Sequence, residues 1–134
     1  MRLSSLLNGI ESENPIRSYR DLIVWQKGMK LRRDVYVVVH RLPAEERFAL
    51  GIQLRKASVS VPSTIAEGHA RLIRRDYRQY LSMSRGSLAE LETQLQIAWE
   101  EKYMDDTEYS RITSLAAEAG GMLTTLIERL ARSP

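Results

Sequence analysis

Tyr77-Arg78-Gln79-Tyr80-Leu81-Ser82-Met83-Ser84-Arg85-Gly86-Ser87-Leu88-Ala89-Glu90-Leu91 decides how this chain folds. Tyr77, Leu81, Ser84 and Leu88 step by four and three residues, and Leu91, Leu95 and Ala98 continue the series. That spacing puts all seven on one face of a helix, as in the seam of a bundle or coiled coil. The helix is expected from about Arg74 to Lys102, with a more polar row of Met83, Ser87, Glu90 and Gln94 beside the seam.

The same period is found on both sides. Toward the C-terminus, Asp105-Asp106-Thr107-Glu108 is a capping signal. Tyr109, Ile112, Ala116, Ala119, Leu123, Leu126 and Leu130 then form the seam of a helix running to about Ala131. Its Ala116, Ala119, Gly120 and Gly121 are small enough to let another helix approach closely. Toward the N-terminus, Leu50, Leu54, Ala57, Val61 and Ile65 mark a helix opened by Ala44-Glu45-Glu46. Pro62 cannot donate to the carbonyl of Ser58, so a kink or break is expected there, and Gly68 is expected to stop the helix.

A first helix, from about Arg20 to Arg41, follows the capping pattern Ser18-Tyr19-Arg20-Asp21 and ends at Pro43. It carries two apolar stripes. One is Val24, Gly28, Leu31, Val35, Val38 and Leu42; the other is Leu22, Trp25, Met29, Tyr36 and Val39. Two readings stand: a helix deep in one bundle, or a helix with one stripe meeting another subunit; the residues expected at a subunit interface are Trp25, Met29, Val35 and Val38. Short connections between long amphipathic helices give an all-α, up-down-up-down four-helix bundle over residues 18–134, behind a loose N-terminal tail over residues 1–17.

Composition narrows the function classes. The chain has 134 residues, 43% of them hydrophobic, enough for one domain with one core. It has no cysteine, hence no disulfides and no thiolate metal sites. No apolar run has the length of a membrane span, and a cytoplasmic protein is expected. Two histidines, with Glu67-Gly68-His69 at the wrong spacing for a bundle metal site, offer no ligand set, so neither metal nor cofactor is expected. Ser63, Thr64 and Ser87 have no histidine at a spacing that would activate them. Gly86 is read as a packing residue. Glu67, Arg85, Glu90 and Gln94 form a candidate polar network, partly buried and mutually paired.

Net charge is +3, so the location of charge matters more than its total. In an up-down bundle, Arg71, Arg74, Arg75 and Arg78 share one end with Arg17, Arg20, Arg129 and Arg132. Glu45, Glu46, Glu100, Glu101, Asp105, Asp106 and Glu108 gather at the other. Such polarity suits phosphate at the arginine end. The leading expectation is a non-enzymatic, oligomeric nucleic-acid-binding accessory protein that holds RNA or DNA electrostatically and largely without regard to sequence. The runner-up is a protein–protein scaffold docking an acidic partner such as an enzyme subunit. An enzyme built around Glu90 is a distant third.

Several stretches in order carry a resemblance. They are Tyr19-Arg20-Asp21-Leu22 with Trp25-Gln26-Lys27, Leu42-Pro43, Glu46-Arg47-Phe48, Gln53-Leu54-Arg55-Lys56-Ala57, Ser60-Val61-Pro62-Ser63-Thr64-Ile65-Ala66-Glu67-Gly68, and Arg85-Gly86-Ser87-Leu88-Ala89-Glu90-Leu91-Glu92-Thr93-Gln94-Leu95. Over about residues 18–130 the chain resembles the four-helix-bundle proteins encoded within 23S rRNA intervening sequences, which are related to accessory proteins of diversity-generating retroelements. The resemblance implies a homopentamer without enzymatic activity. The retroelement relatives bind nucleic acid and a reverse transcriptase, which makes a reverse transcriptase a candidate partner. The chain departs from the family pattern at Thr64, His69 and Ile73, where the family has Asn, an aromatic residue and a helix-capping Ser.

Overall fold

The computed structural model describes residues 15–132; the expected tail over residues 1–17 therefore lies mostly outside the described residues. A single 3-10 turn, Tyr19–Asp21, leads into five helices: α1 (Ile23–Arg41), the one-turn α2 (Ala44–Arg47), α3 (Leu50–His69), α4 (Arg74–Glu100) and α5 (Asp106–Arg132). The four long helices pack in a ring, α1 on α3, α3 on α4, α4 on α5 and α5 back on α1. Each runs opposite to the one before it, so the fold is the expected all-α four-helix bundle. Among the described residues, no helix is long and apolar enough to cross a membrane.

The seams do what their period demands. Tyr77, Leu81, Ser84, Leu88, Leu91, Leu95 and Ala98 are all buried, as are Ile112, Ala116, Ala119, Leu123, Leu126 and Leu130 on α5. At the entrance, the Ser18 hydroxyl accepts from the Arg20 N–H at 3.2 Å. The Asp21 carboxylate accepts the Arg17 N–H at 2.9 Å. That bond, together with the Arg17 guanidinium, holds the Asp21 carboxyl below its ordinary range against a smaller opposing effect of burial.

Four local expectations are corrected. The second helix is not broken at Pro62. Residues 50–69 form one helix with Pro62 inside it, and the interruption falls at Phe48–Ala49 instead. Phe48 is 76% exposed, so no core contact at that residue draws α2 and α3 into one helix. Pro62 is buried, and a Cβ on Gly28 of α1 would meet its Cβ at 3.4 Å. Helix–helix packing therefore holds the proline turn in place. Hydroxyls serve carbonyls around it: Thr64 Oγ1 donates to Ser60 O at 2.7 Å, and Ser84 Oγ of α4 donates to Val61 O at 2.8 Å.

Gly68 is not the stop. The helix continues to His69, with Ala70 as its C-cap. A Cβ at Gly68 would lie 2.7 Å from Tyr80 Cβ and 3.1 Å from Tyr77 Cδ1. The glycine is there for the close crossing of α3 and α4. Gly86, by contrast, has open space around it, so it permits no close packing within the chain.

The fourth correction concerns α1. Val35 and Val38 are 0% exposed and belong to the core, so they cannot meet another subunit. Only Trp25 and Met29 of that proposed set remain partly exposed. Along its other flank α1 is tied to α5 by three ion pairs: Lys27–Glu118 at 2.9 Å, Asp34–Arg111 at 3.1 Å, and Arg41–Glu108. Positions 27, 34 and 41 recur every second turn of α1, which is why one face carries all three.

Candidate nucleic-acid interface

The topology places the start of α1, the end of α3, the start of α4 and the end of α5 at one pole. Arg17 and Arg20 stand just before α1, and Arg71 lies in the α3–α4 turn. Arg74, Arg75 and Arg78 occupy the first turns of α4, and Arg129 and Arg132 the last turn of α5. These side chains do not form one continuous patch. Arg17 and Arg20 lie on the α1–α3 side, where Tyr19 packs edge-on against Trp25 with ring centroids 5.3 Å apart. Arg75 and Arg78 lie on the α4–α5 side, where with Gln79, Ser82 and Ile127 they line a shallow cavity of about 320 Å³. The arginines therefore share one pole but are spread over more than one side of it.

Several are pre-positioned. The Arg20 guanidinium lies over the Tyr19 ring at 4.8 Å from its centroid. Arg71 lies over the Tyr80 ring at 4.6 Å and also donates to the Tyr80 hydroxyl. Arg17 pairs with Asp21 at 3.6 Å while its side chain stays largely in solvent. Arg74 and Arg129 are half-buried, and each has partners within the chain. Arg75 and Arg132 are exposed. Asp21, Asp76, Glu67 and Glu128 share this end and offset part of its positive charge. His69 packs edge-on to Tyr77 at 5.7 Å between ring centroids, and burial lowers its pKa, so the imidazole is neutral near pH 7.

The candidate polar quartet does not form a network among the described residues. Glu67 and Glu90 are exposed. Arg85 donates to Thr124 of α5 at 3.2 Å. Gln94 is buried, with its Oε1 unpartnered among the described residues. Ser87 instead joins α4 to α3 through the Ser60 hydroxyl at 2.8 Å. No group of three or more metal-ligating side chains occurs among the described residues.

The opposite pole has its own character. Burial raises the Tyr103 pKa first, and the carboxylates of Glu46, Glu101 and Glu45 raise it further, so three of the expected acids lie near one another there. Trp99 stacks on Tyr109 at 4.6 Å and donates to Asp106 at 2.8 Å. Arg41 and Arg47 moderate the acidity: the first pairs with Glu108, the second donates to Leu42 O at 3.2 Å.

Two features are not evident from the sequence. One is a groove of about 370 Å³ between α1 and α3, lined by Tyr19, Trp25, Met29, Tyr36, Val59 and Pro62 among others. The adjacent stripes of α1 point to surplus apolar surface, but where α3 and α5 pack on α1 decides which side is covered. The other is the α3–α4 turn, where Leu72 is 102% exposed and Ile73 56% exposed in the middle of the arginines. The signal is present in Arg71-Leu72-Ile73-Arg74-Arg75, two apolar residues outside any seam.

Residues 20–125 match the family model described as 23S rRNA-intervening sequence protein. No curated protein matches the sequence significantly. Among solved structures, the chain is similar to a protein of unknown function from the S23 ribosomal protein family of Bacteroides thetaiotaomicron. Identity is 20% and the TM-score 0.72, with 78% of this chain and 98% of that one covered. At that identity the likeness is one of fold.

Proposed function

The chain belongs to the 23S rRNA-intervening sequence protein family, and from that premise we propose that it is a non-enzymatic, oligomeric accessory protein that binds nucleic acid at its arginine pole. The observation that carries the reading is the charge polarity of the bundle. The topology brings eight arginines to one end of the bundle, and Glu45, Glu46 and Glu101 lie near Tyr103 at the other. Guanidinium groups suit phosphate because their planar donors pair with its oxygens. Arg20 and Arg71, each fixed on a tyrosine ring, lose less side-chain freedom on contact than loose chains would. The sequence carries no groove-reading motif, so we read the contact as electrostatic and largely sequence-independent. Such a protein works in the cytoplasm, on RNA or DNA, and a reverse transcriptase is a candidate further partner.

Self-association belongs to the same proposal. The groove of Trp25, Met29, Tyr36 and Val59 is one apolar surface available for it. A cyclic assembly, five subunits by the resemblance above, would repeat the arginine pole into a ring and multiply the number of phosphates held at once.

The test is retention on RNA and on DNA across a salt series. Affinity should fall steeply with salt, because each neutralised phosphate releases counterions. Arg74→Glu, Arg75→Glu and Arg78→Glu together should abolish retention while helix content and oligomer size stay as in the parent. Unchanged retention at low salt would sink the proposal and favour docking of an acidic protein at this pole.

A further inference from the structure

We propose that Leu72 and Ile73 form an apolar wedge that enters the minor groove of duplex DNA and unstacks a base step while the surrounding arginines hold the phosphates; this rests on the nucleic-acid reading above. A single exposed leucine needs no explanation. This turn combines several observations that a chance exposure does not.

The first is projection. Ala70 N–H donates to Ala66 O at 3.1 Å and Arg71 N–H to Gly68 O at 3.0 Å, tying the turn back to α3. On the other side, Tyr77 N–H donates to Ile73 O at 3.1 Å, so Ile73 already belongs to the frame of α4. Leu72 lies between two anchored residues and presents its whole side chain to solvent. The residues on either side of the tip are tied to α3 and α4 before any ligand arrives, which lessens the ordering that opposes insertion.

The second is composition. Ile73 is the N-cap of α4 and provides no side-chain cap. Ser, Thr, Asp or Asn there would cap and stabilise the helix. The position instead carries a second exposed aliphatic residue beside the first. Leu and Ile are among the side chains that act as wedges between base pairs.

The third is charge around the tip. Arg71 is held against Tyr80, and Arg75 and Arg78 follow on the first turns of α4. Guanidiniums flank the apolar pair before and after it in the chain, as a wedge needs if the adjacent phosphates are to be neutralised.

The same residues argue for a duplex over a single strand. Single-strand binders stack bases on bare aromatic rings. At this pole the rings of Tyr19 and Tyr80 already carry Arg20 and Arg71 on one face, and Tyr77 is buried against His69. A lipid surface fits less well, because interfacial anchoring takes a long amphipathic apolar face and this tip offers two aliphatic side chains.

The test uses short DNA duplexes containing 2-aminopurine, whose fluorescence rises when it is unstacked, with the full-length protein and a Leu72→Ser/Ile73→Ser variant. The parent should raise the fluorescence on binding. The variant should bind about tenfold or more weakly, the worth of one buried aliphatic side chain, with the same salt slope and no fluorescence rise. Its helix content and melting temperature should not fall, because both side chains are exposed and Ser at position 73 can cap α4. Arginine-dependent binding by the parent without a fluorescence change overturns the wedge and leaves the wider nucleic-acid reading intact. No binding of the parent to any nucleic acid overturns both. Leu72-dependent retention on phosphatidylserine–phosphatidylcholine vesicles, without duplex unstacking, assigns the tip to membranes. A change of oligomer size in the variant assigns it to a subunit contact. Either of those outcomes also overturns the wedge.

Discussion

The α3–α4 turn and the α4–α5 turn join helices of similar length and opposite direction, yet they are built on opposite plans. The α4–α5 turn folds inward. Tyr103 N–H donates to Ala98 O at 2.9 Å and Lys102 N–H to Trp99 O at 2.9 Å, closing α4 with paired bonds around a left-handed Lys102. Asp105 then caps α5 by accepting the Glu108 N–H at 2.7 Å, and Met104 is buried beneath. The α3–α4 turn has no side-chain cap for α4 and turns Leu72 and Ile73 outward, just beyond the point where Gly68 of α3 lies against Tyr80. One turn uses its residues to satisfy the backbone and the core. The other ties its backbone to α3 through Ala70 and Arg71, adds nothing to the core, and leaves Leu72 and Ile73 in solvent.

The largest effect that would sharpen this contrast is at Gly68. Gly68→Ala places a Cβ 2.7 Å from Tyr80 Cβ, so α3 and α4 must separate. A loss of about 1–3 kcal/mol in chemical denaturation is expected, where Gly86→Ala, in open space, should stabilise its helix. If Gly68→Ala is neutral, the crossing is looser than described and the turn above it is not fixed by packing.

At the opposite end, Asp105→Ala should cost about 1 kcal/mol through loss of the cap. Lys102→Gly should do the reverse. A lysine at φ 66° is strained where glycine is not, and the exchange should stabilise by roughly 0.5–1 kcal/mol even after glycine's greater unfolded-state entropy. Thermal melts of the two variants moving the same way would contradict this view of the turn.

Much of the fold is legible from the chain, and the limits have physical causes. The seam from Tyr77 to Ala98 is seven residues deep in a strict period, and nothing in the tertiary structure could override it. Pro62 misleads because proline's cost is local while its rescue is not: Gly28 and Ser84, which accommodate it, are distant in sequence. Gly68 misleads for a similar reason, since a glycine near a helix end serves a cap or a crossing equally well. Val35 and Val38 fit either a bundle core or a subunit interface, because adjacent stripes on one helix do not say which stripe its neighbours cover. The arginine pole follows from topology alone, but the pairing of Arg71 with Tyr80 and the projection of Leu72 depend on side-chain geometry that periodicity does not carry.

The smallest effect is one of pH. Burial lowers the His69 pKa from its ordinary value of 6.5. The unfolded chain therefore takes up the proton first, and His69 contributes stability that is intact above pH 6.5 and lost as pH falls from there through the folded value. Melts of the parent and His69→Phe between neutral and mildly acidic pH should diverge in that direction, the variant falling less. Parallel curves would mean that the ring is solvated and the pole looser than its packing implies.

The most direct measurement on the central claim is a matched pair of charge reversals in one salt-dependent RNA- and DNA-binding assay. One variant reverses Arg74, Arg75 and Arg78 to Glu, and the other reverses Asp105, Asp106 and Glu108 to Lys. Loss of retention is predicted for the first and undiminished retention for the second, with the slope against salt reduced by roughly one for each phosphate no longer neutralised. Equal weakening by both variants, or full retention by the arginine variant, would contradict a dedicated arginine pole.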